Sequence, residues 1–283
     1  MSDRTGGPDV HCGKLPTIGI GTYDVEPAAC TAAVTAALEC GYRHVDTAEM
    51  YDTERAVGRA IEAAAVDRDD VVLATKVHSR NLSYEDVLEH ARASRERLGV
   101  ETIDLLYVHW PIRTYEPSET LAAFDELYRR GEIRHVGLSN FTPELLEEAL
   151  GILDAPLFAH QIECHPLLPQ EELRRYAREH GHYLVAYSPL AKGRVTEVAE
   201  LEAIADAYDA TPAQVAPAWL QAHEHVVPIP KSTTEAHIRE NYAARDLELD
   251  ADAIERIDGI DRTERVVDFP EAPWNVESSD CRR

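Results

Sequence analysis

Gly41-Tyr42-Arg43-His44-Val45-Asp46-Thr47-Ala48-Glu49-Met50-Tyr51 reads as a strand that ends in chemistry. Gly41 closes the helical run before it, where a left-handed cap commonly ends a helix. Tyr42 to Val45 supply β-forming side chains, and the run stops at Asp46-Thr47-Ala48. A carboxylate at the end of a buried strand is poor packing material, because a buried charge needs a partner. Tyr51 follows five residues later, on the loop into the next helix, so a phenol and a carboxylate share one neighbourhood.

The same pattern repeats along the chain. Val71 to Lys76 is a nearly continuous apolar strand ending in a lysine, and Asp104 to His109 is another ending in a histidine. Further strands are expected at Arg134–Leu138, ending in Ser139-Asn140, and at Leu157–Glu163, which contains Gln161. Others are expected at Tyr183–Tyr187, followed by Ser188-Pro189, and at Val226–Pro230, ending in Lys231-Ser232. A short last strand is expected near Ala243–Asp246. Helices fall between them. Glu26-Pro27 opens one, Ser83 caps one that ends at Gly99, and Thr142-Pro143 opens another. One ends at Gly181, Thr211-Pro212 opens one that Pro217 should kink, and Asp250 caps the last. Ahead of all these, Val10 to Gly21 is broken by Gly13, Pro16 and Gly19 and reads as a small β-hairpin.

Near-continuous apolar strands alternating with helices about eight times indicate a parallel sheet covered by helices. About 250 residues suits an α/β fold of the (β/α)8 TIM-barrel kind. A doubly wound nucleotide fold would need Gly-x-Gly-x-x-Gly after its first strand, whereas Gly19-Ile20-Gly21 continues as Thr22-Tyr23-Asp24. The expectation is one barrel domain over residues 1–283, with the N-terminal hairpin and with 1–9 and 276–283 as flexible tails.

Composition bounds the function. No run of about 18 apolar residues predicts a membrane span, and the polar start, Met1 to Pro8, carries no apolar signal region. A cytoplasmic monomer is expected. A net charge of -24, from 52 acids against 28 bases, disfavours nucleic-acid binding. Only four lysines occur, Lys14, Lys76, Lys192 and Lys231. Acid excess together with lysine depletion points to a halophilic surface, and it marks the remaining lysines as candidates for specific work. The five cysteines form no Cys-x-x-Cys pair, which argues against a disulfide framework or a zinc ribbon.

Reactive groups in such barrels sit at the carboxyl ends of the strands. Asp46, Lys76 and His109 occupy that place on successive strands, with Tyr51 just beyond the first. One at a time, each reads as an ordinary structural residue; together they read as a site. A tyrosine, with an ordinary pKa near 10, is lowered by a lysine cation beside it, and a carboxylate keeps that lysine charged. The phenol can then donate a proton to a carbonyl oxygen that a histidine orients. Addition of hydride to a carbonyl needs such proton delivery, and it implies a nicotinamide cofactor. His160, Glu163, Cys164 and His165 lie close in sequence, but alternate strand residues face opposite sides, so no metal site is expected.

The chain resembles the aldo-keto reductases. Gly41 to Gly58, Leu127 to Phe141, and Ile229-Pro230-Lys231-Ser232 with Glu240-Asn241 look like that family's three signatures, in order. Its prokaryotic diketogluconate and aldehyde reductases are the most similar group. The resemblance implies a barrel reductase that binds NADP, or NAD, without a Rossmann domain, and that reduces aldehydes, ketones or keto-sugars. It assigns Asp46, Tyr51, Lys76 and His109 as the catalytic four. It gives Thr22 and Asp46 to cofactor binding, Ser139, Asn140 and Gln161 to the nicotinamide carboxamide, Tyr187 to ring stacking, and Ser188 and Leu190 to the pyrophosphate. Lys231, Ser232, His237, Glu240 and Asn241 fall at the adenosine end. Tyr23 and Trp110 join Tyr51 and His109 around the substrate. Thr53 replaces the family's usual asparagine, Asp24 a common basic residue, and His237 the arginine of NADPH-preferring members. A rival reading is a regulatory nicotinamide-binding subunit with little turnover, because barrel relatives act as channel partners.

Overall fold

Eight parallel strands follow one another in sequence order around a single sheet in the computed structural model, which describes residues 14–275. They are β1 (Ile20–Gly21), β2 (His44–Asp46), β3 (Val72–Val77) and β4 (Ile103–Val108), then β5 (Ile133–Ser139), β6 (Leu157–Glu163), β7 (Tyr183–Tyr187) and β8 (Val226–Pro228). Each pairs with the next in parallel register, from Gly21 opposite Asp46 to Ala186 opposite Pro228. The Gly19 and Gly21 N–H groups donate to the carbonyls of Pro228 (3.0 Å) and Pro230 (3.1 Å), so the β1 and β8 edges meet and the sheet closes. Helices α1 (Pro27–Cys40), α2 (Glu54–Ala63), α3 (Tyr84–Leu98), α4 (Pro117–Arg129) and α5 (Pro143–Leu150) connect the first six strands. The rest are α6 (Glu171–His180), α7 (Ala199–Ala207), α8 (Pro212–Ala222), α9 (Glu235–Ala243) and α10 (Ala251–Asp258). Among the described residues, no helix is long and apolar enough to cross a membrane.

Strand alternation divides the core in two. Val72, Ala74, Leu105, Tyr107, Ala159, Val185, Val227 and Ile229 pack with Leu15 inside the barrel. Their neighbours Val45, Leu73, Leu106, Val136, Leu138 and Leu184 face outward into the larger layer beneath the helices. The interior has no room to spare at Gly137, where an added Cβ would lie 2.3 Å from the Tyr107 ring. The period that sends Val72 and Ala74 inward also sends Lys76 inward, and it does the same for Asp46, Ser139, Gln161 and Tyr187 on their strands.

Two sequence expectations are corrected. Ile20–Gly21 is not part of a separate hairpin; it is the first barrel strand, hydrogen-bonded on both sides. The remainder of that hairpin, up to Gly13, lies outside the described residues, as do both expected tails. The segment 243–246 is not a strand; α9 runs to Ala243 and a 3₁₀ turn covers Ala244–Asp246. The capping expectations hold in part. Gly41 ends α1 at φ 118°, and its N–H donates to the Ala37 and Leu38 carbonyls. Thr142, Thr211 and Asp250 accept N–H bonds from their helices, whereas the Ser83 hydroxyl donates instead to Asp86 (2.6 Å). Helix α8 continues through Pro217 to Ala222.

Candidate active site

The ends of β2 and β3 bring two opposite charges together inside the barrel. Lys76 Nζ donates to Asp46 Oδ1 (2.5 Å) and to the Thr47 carbonyl (2.8 Å). Asp46 Oδ2 accepts from Gln161 Nε2 (2.7 Å), across the barrel on β6. Lys76 is only 1% exposed. Burial draws its value down, and the Asp46 carboxylate opposes this by favouring the charged amine. The Thr22 hydroxyl donates to the Asp46 carbonyl (3.0 Å) and steadies the strand end.

Tyr51 sits on a 3₁₀ turn, Glu49–Tyr51, that a carboxylate pins in place. Glu49 accepts from the His78 N–H (2.5 Å) and Asn81 Nδ2 (3.0 Å), and its other oxygen pairs with His90 Nδ1 (2.7 Å). The phenol oxygen lies 3.4 Å from His109 Nε2. Lys76 Nζ lies 5.1 Å from the centre of the phenol ring, and Tyr23 packs edge-on at 5.2 Å.

The electrostatics differ from the sequence expectation at Tyr51. Charge alone predicts that the Lys76 cation lowers the phenol's value. Burial instead holds it well above the usual range, and the charge that acts on it next is the Asp46 carboxylate, which raises it further. Tyr51 therefore keeps its proton throughout the neutral range. Burial, with Lys76 nearby, holds His109 well below the usual imidazole range, so its ring is neutral. Its Nδ1 is buried without a hydrogen-bond partner.

A polar set continues along the ends of β5 to β7. Asn140, at φ 65°, donates through Nδ2 to the His109 carbonyl and to Ser139 Oγ, both at 2.9 Å. Tyr187 Oη donates to Asn140 Oδ1 (2.8 Å). The next segment is strained: Ser188, Ala191 and Lys192 all adopt left-handed backbone, at φ 48°, 47° and 54°. Such residues cost about 1–3 kcal/mol each and concentrate at functional sites.

These groups surround one cavity of about 780 Å³. Thr22, Tyr23, Asp46, Tyr51, His109 and Trp110 line it, together with Ser139, Asn140, Gln161, Tyr187, Ser188, Leu190 and Lys231. Lys76 is not part of the wall and meets it only through its bond to Asp46. Ser232, His237, Glu240 and Asn241 are not part of the wall either. Ser232 Oγ accepts from the Thr234 N–H (3.1 Å), and Glu240 accepts from Thr211 Oγ1 (2.7 Å). His237 is exposed and Asn241 is buried on α9. The wall also contains Lys192, one of the four lysines marked by the sequence, and residues that sequence reasoning missed: His78, Arg113, Val267 and Phe269. Phe269 and Trp274 pack on Trp110 at 4.8 and 5.6 Å. Only Val266-Val267 and the aromatic Phe269 and Trp274, in a stretch rich in charged residues, could have signalled this part of the wall. Three of the four lysines, Lys76, Lys192 and Lys231, serve this end of the barrel. Glu163 and His165 are a buried hydrogen-bonded pair (3.0 Å).

Residues 17–262 match the model of the aldo/keto reductase family. The chain belongs to that family. Glyoxal reductase of Bacillus subtilis (strain 168) is 37% identical over 259 residues, covering 91% of this chain and 93% of the relative. Methylglyoxal reductase DkgB of Escherichia coli O157:H7 is 35% identical over 256 residues, covering 89% and 96%. Among solved structures, the aldo-keto reductase MGS-M4 from a Medee basin deep-sea metagenome library superposes with a TM-score of 0.88. It is 33% identical, with 93% of this chain and 97% of that one covered. Aldo/keto reductase membership and the barrel thus agree over nearly the whole described length.

Proposed function

We propose that this chain is an NAD(P)H-dependent reductase of small aldehydes and ketones, with Tyr51 as the proton donor. The observation that carries this reading is a phenol oxygen 3.4 Å from an imidazole nitrogen, above a buried Asp46–Lys76 pair. The donor set also fits a nicotinamide dinucleotide. Ser139, Asn140 and Gln161 offer hydroxyl and amide groups suited to a carboxamide beside the Tyr187 ring, and the cavity extends to the exposed Lys231 cation. When bound, the cofactor supplies hydride.

The chain's own residues manage the oxygen. A carbonyl oxygen beside Tyr51 Oη and His109 Nε2 accepts a hydrogen bond from each, which fixes its orientation. As negative charge gathers on that oxygen, Tyr51 gives up its proton to it. The phenolate left behind faces Lys76, which Asp46 keeps charged. Taken to the ring centre at about 5 Å, with an effective dielectric of about 20, that attraction is about 3 kcal/mol before the opposing Asp46 carboxylate is counted. Trp110, Val267 and Phe269 supply an apolar side for the substrate. The glyoxal and methylglyoxal reductases among the relatives favour small dicarbonyls as first substrates to test.

Tyr51→Phe keeps the ring and removes the acidic hydrogen. With methylglyoxal, turnover read from loss of reduced-cofactor absorbance should fall by about 10²–10⁴, while cofactor affinity stays nearly constant. A variant retaining most of the wild-type turnover would refute Tyr51 as the donor. Cofactor binding by the wild type without turnover of any aldehyde or ketone would favour a binding subunit instead.

A further inference from the structure

Part of the cavity wall comes from a segment that secondary structure does not hold. Residues 260–272 form no helix and no strand, yet Val267 and Phe269 within it line the cavity. The segment is tied down at a few points. Lys192 Nζ donates to the Val266 carbonyl (2.9 Å), Arg194 pairs with Glu264 (2.5 Å), and the Glu264 N–H donates to the Leu167 carbonyl (2.7 Å). Lys192 and Arg194 are exposed, where such pairs contribute little.

Arg113 also pairs with Glu271 (3.2 Å), with both side chains exposed; a further tie is of another kind. Glu163, at the end of β6, is 0% exposed, and its two oxygens accept the consecutive N–H groups of Val266 (2.6 Å) and Val267 (2.8 Å). His165 Nε2 lies 3.0 Å from one of those oxygens. Glu163 does not line the cavity, and the proposed proton delivery makes no use of it. Two successive backbone donors on one buried carboxylate fix the path of the chain at that point, and charge-assisted bonds of this type are the strong ones. Phe269 lies just beyond them along the chain, and its ring meets Trp110 at 4.8 Å.

We infer that Glu163 is a positioning residue that sets substrate selectivity, by holding Val266-Val267 so that Val267 and Phe269 form an apolar wall with Trp110. The inference rests on the proposed carbonyl reductase activity for its kinetic reading. A substrate that reaches this wall gains from it; one too small to reach it does not. Glu163→Gln keeps the shape but places an amide donor where a backbone donor already points. Val266→Pro removes one of the two N–H groups and leaves the carboxylate and the barrel unchanged.

Methylglyoxal and phenylglyoxal share one reacting group and differ by a methyl against a ring, so they read the wall directly. In both variants the phenylglyoxal-to-methylglyoxal ratio of kcat/KM should fall roughly tenfold or more, with the loss in KM for phenylglyoxal rather than in kcat. Acrylamide quenching of tryptophan fluorescence should increase in both, as Trp110 and Trp274 lose their cover. Equal losses for the two substrates, or an unchanged ratio, would make Glu163 a fold-stabilising residue only and overturn the inference. If Glu163→Gln does not fold, Val266→Pro decides by the same ratio. If the wild type reduces neither dicarbonyl, the proposed function fails, and quenching alone decides: an unchanged value in the variants overturns the anchor.

Discussion

Lys76→Met removes one charge from the barrel interior and keeps most of the side-chain length, and its two effects can be separated. The first concerns stability. Lys76 and Asp46 pair at 2.5 Å with side chains 1% and 3% exposed. Removing the cation leaves a buried carboxylate with Gln161 as its side-chain partner, and breaking a buried pair in this way costs about 3–5 kcal/mol. The second concerns rate. The amine lies 5.1 Å from the Tyr51 ring centre. The attraction it offers a developing phenolate, about 3 kcal/mol before the opposing Asp46 charge is counted, sets an upper bound of about 10²-fold in turnover. The double variant Lys76→Met/Asp46→Asn no longer buries an orphan charge, so most of the lost stability should return while the rate stays low. Urea unfolding followed by circular dichroism, together with kcat for methylglyoxal, measures both quantities in the wild type, the single and the double variant. Recovery of turnover in the double variant to within about threefold of wild type would refute the role of the cation. Unchanged stability in the single variant would refute the buried ion pair.

Other predictions rest on buried histidines, on surface charge and on the exposed end of the proposed cofactor site. Burial lowers His44 to about 4 and His160 to about 3, and neither ring nitrogen of His44 has a partner. Their folded values lie below the unfolded one, so their contribution is complete above about pH 6.5 and is lost as pH falls toward 4 for His44 and toward 3 for His160. A change from 6.5 to about 4 for His44 corresponds to about 3 kcal/mol. The urea unfolding free energy should therefore drop across that window, and an undiminished slope in His44→Leu would remove His44 from the explanation. A net charge of -24 on a lysine-poor chain should make stability depend on salt. The Debye length shrinks from about 10 Å at 0.1 M to about 3 Å at 1 M, so melting temperature should rise markedly with potassium chloride, and a flat profile would reject a halophilic surface. NADPH is expected to be preferred through Lys231, with NADH tolerated because His237 lacks arginine's planar, always-charged fork. His237→Arg should raise the NADPH-to-NADH ratio of kcat/KM about tenfold, the lower end for one charge-assisted bond; no change would place His237 away from the 2′ position.

The strand-end groups are legible in the sequence because barrel strands impose two strict periods. Side chains alternate along each strand, and catalysis gathers where strands end, so Asp46, Lys76 and His109 can be placed from spacing alone, whereas Ser139 and Gln161 enter the site through the family resemblance. Gly41 likewise announces the end of α1 through the backbone angle that only glycine adopts freely. The first strand is not legible. Ile20–Gly21 is two residues long and carries no alternation; its identity comes from hydrogen bonds to β2 on one side and to Pro228 and Pro230 on the other. The protonation of Tyr51 escapes the sequence for a related reason. Sequence supplies the neighbouring charges but not the desolvation, and burial raises the phenol's value. The wall formed by Val267 and Phe269 is the clearest case. No local periodicity marks residues 260–272, because their path is set by a carboxylate about a hundred residues earlier. A local pattern encodes what a segment's own backbone can hold. Where the backbone holds nothing, the partner that fixes it exists only once the chain has folded.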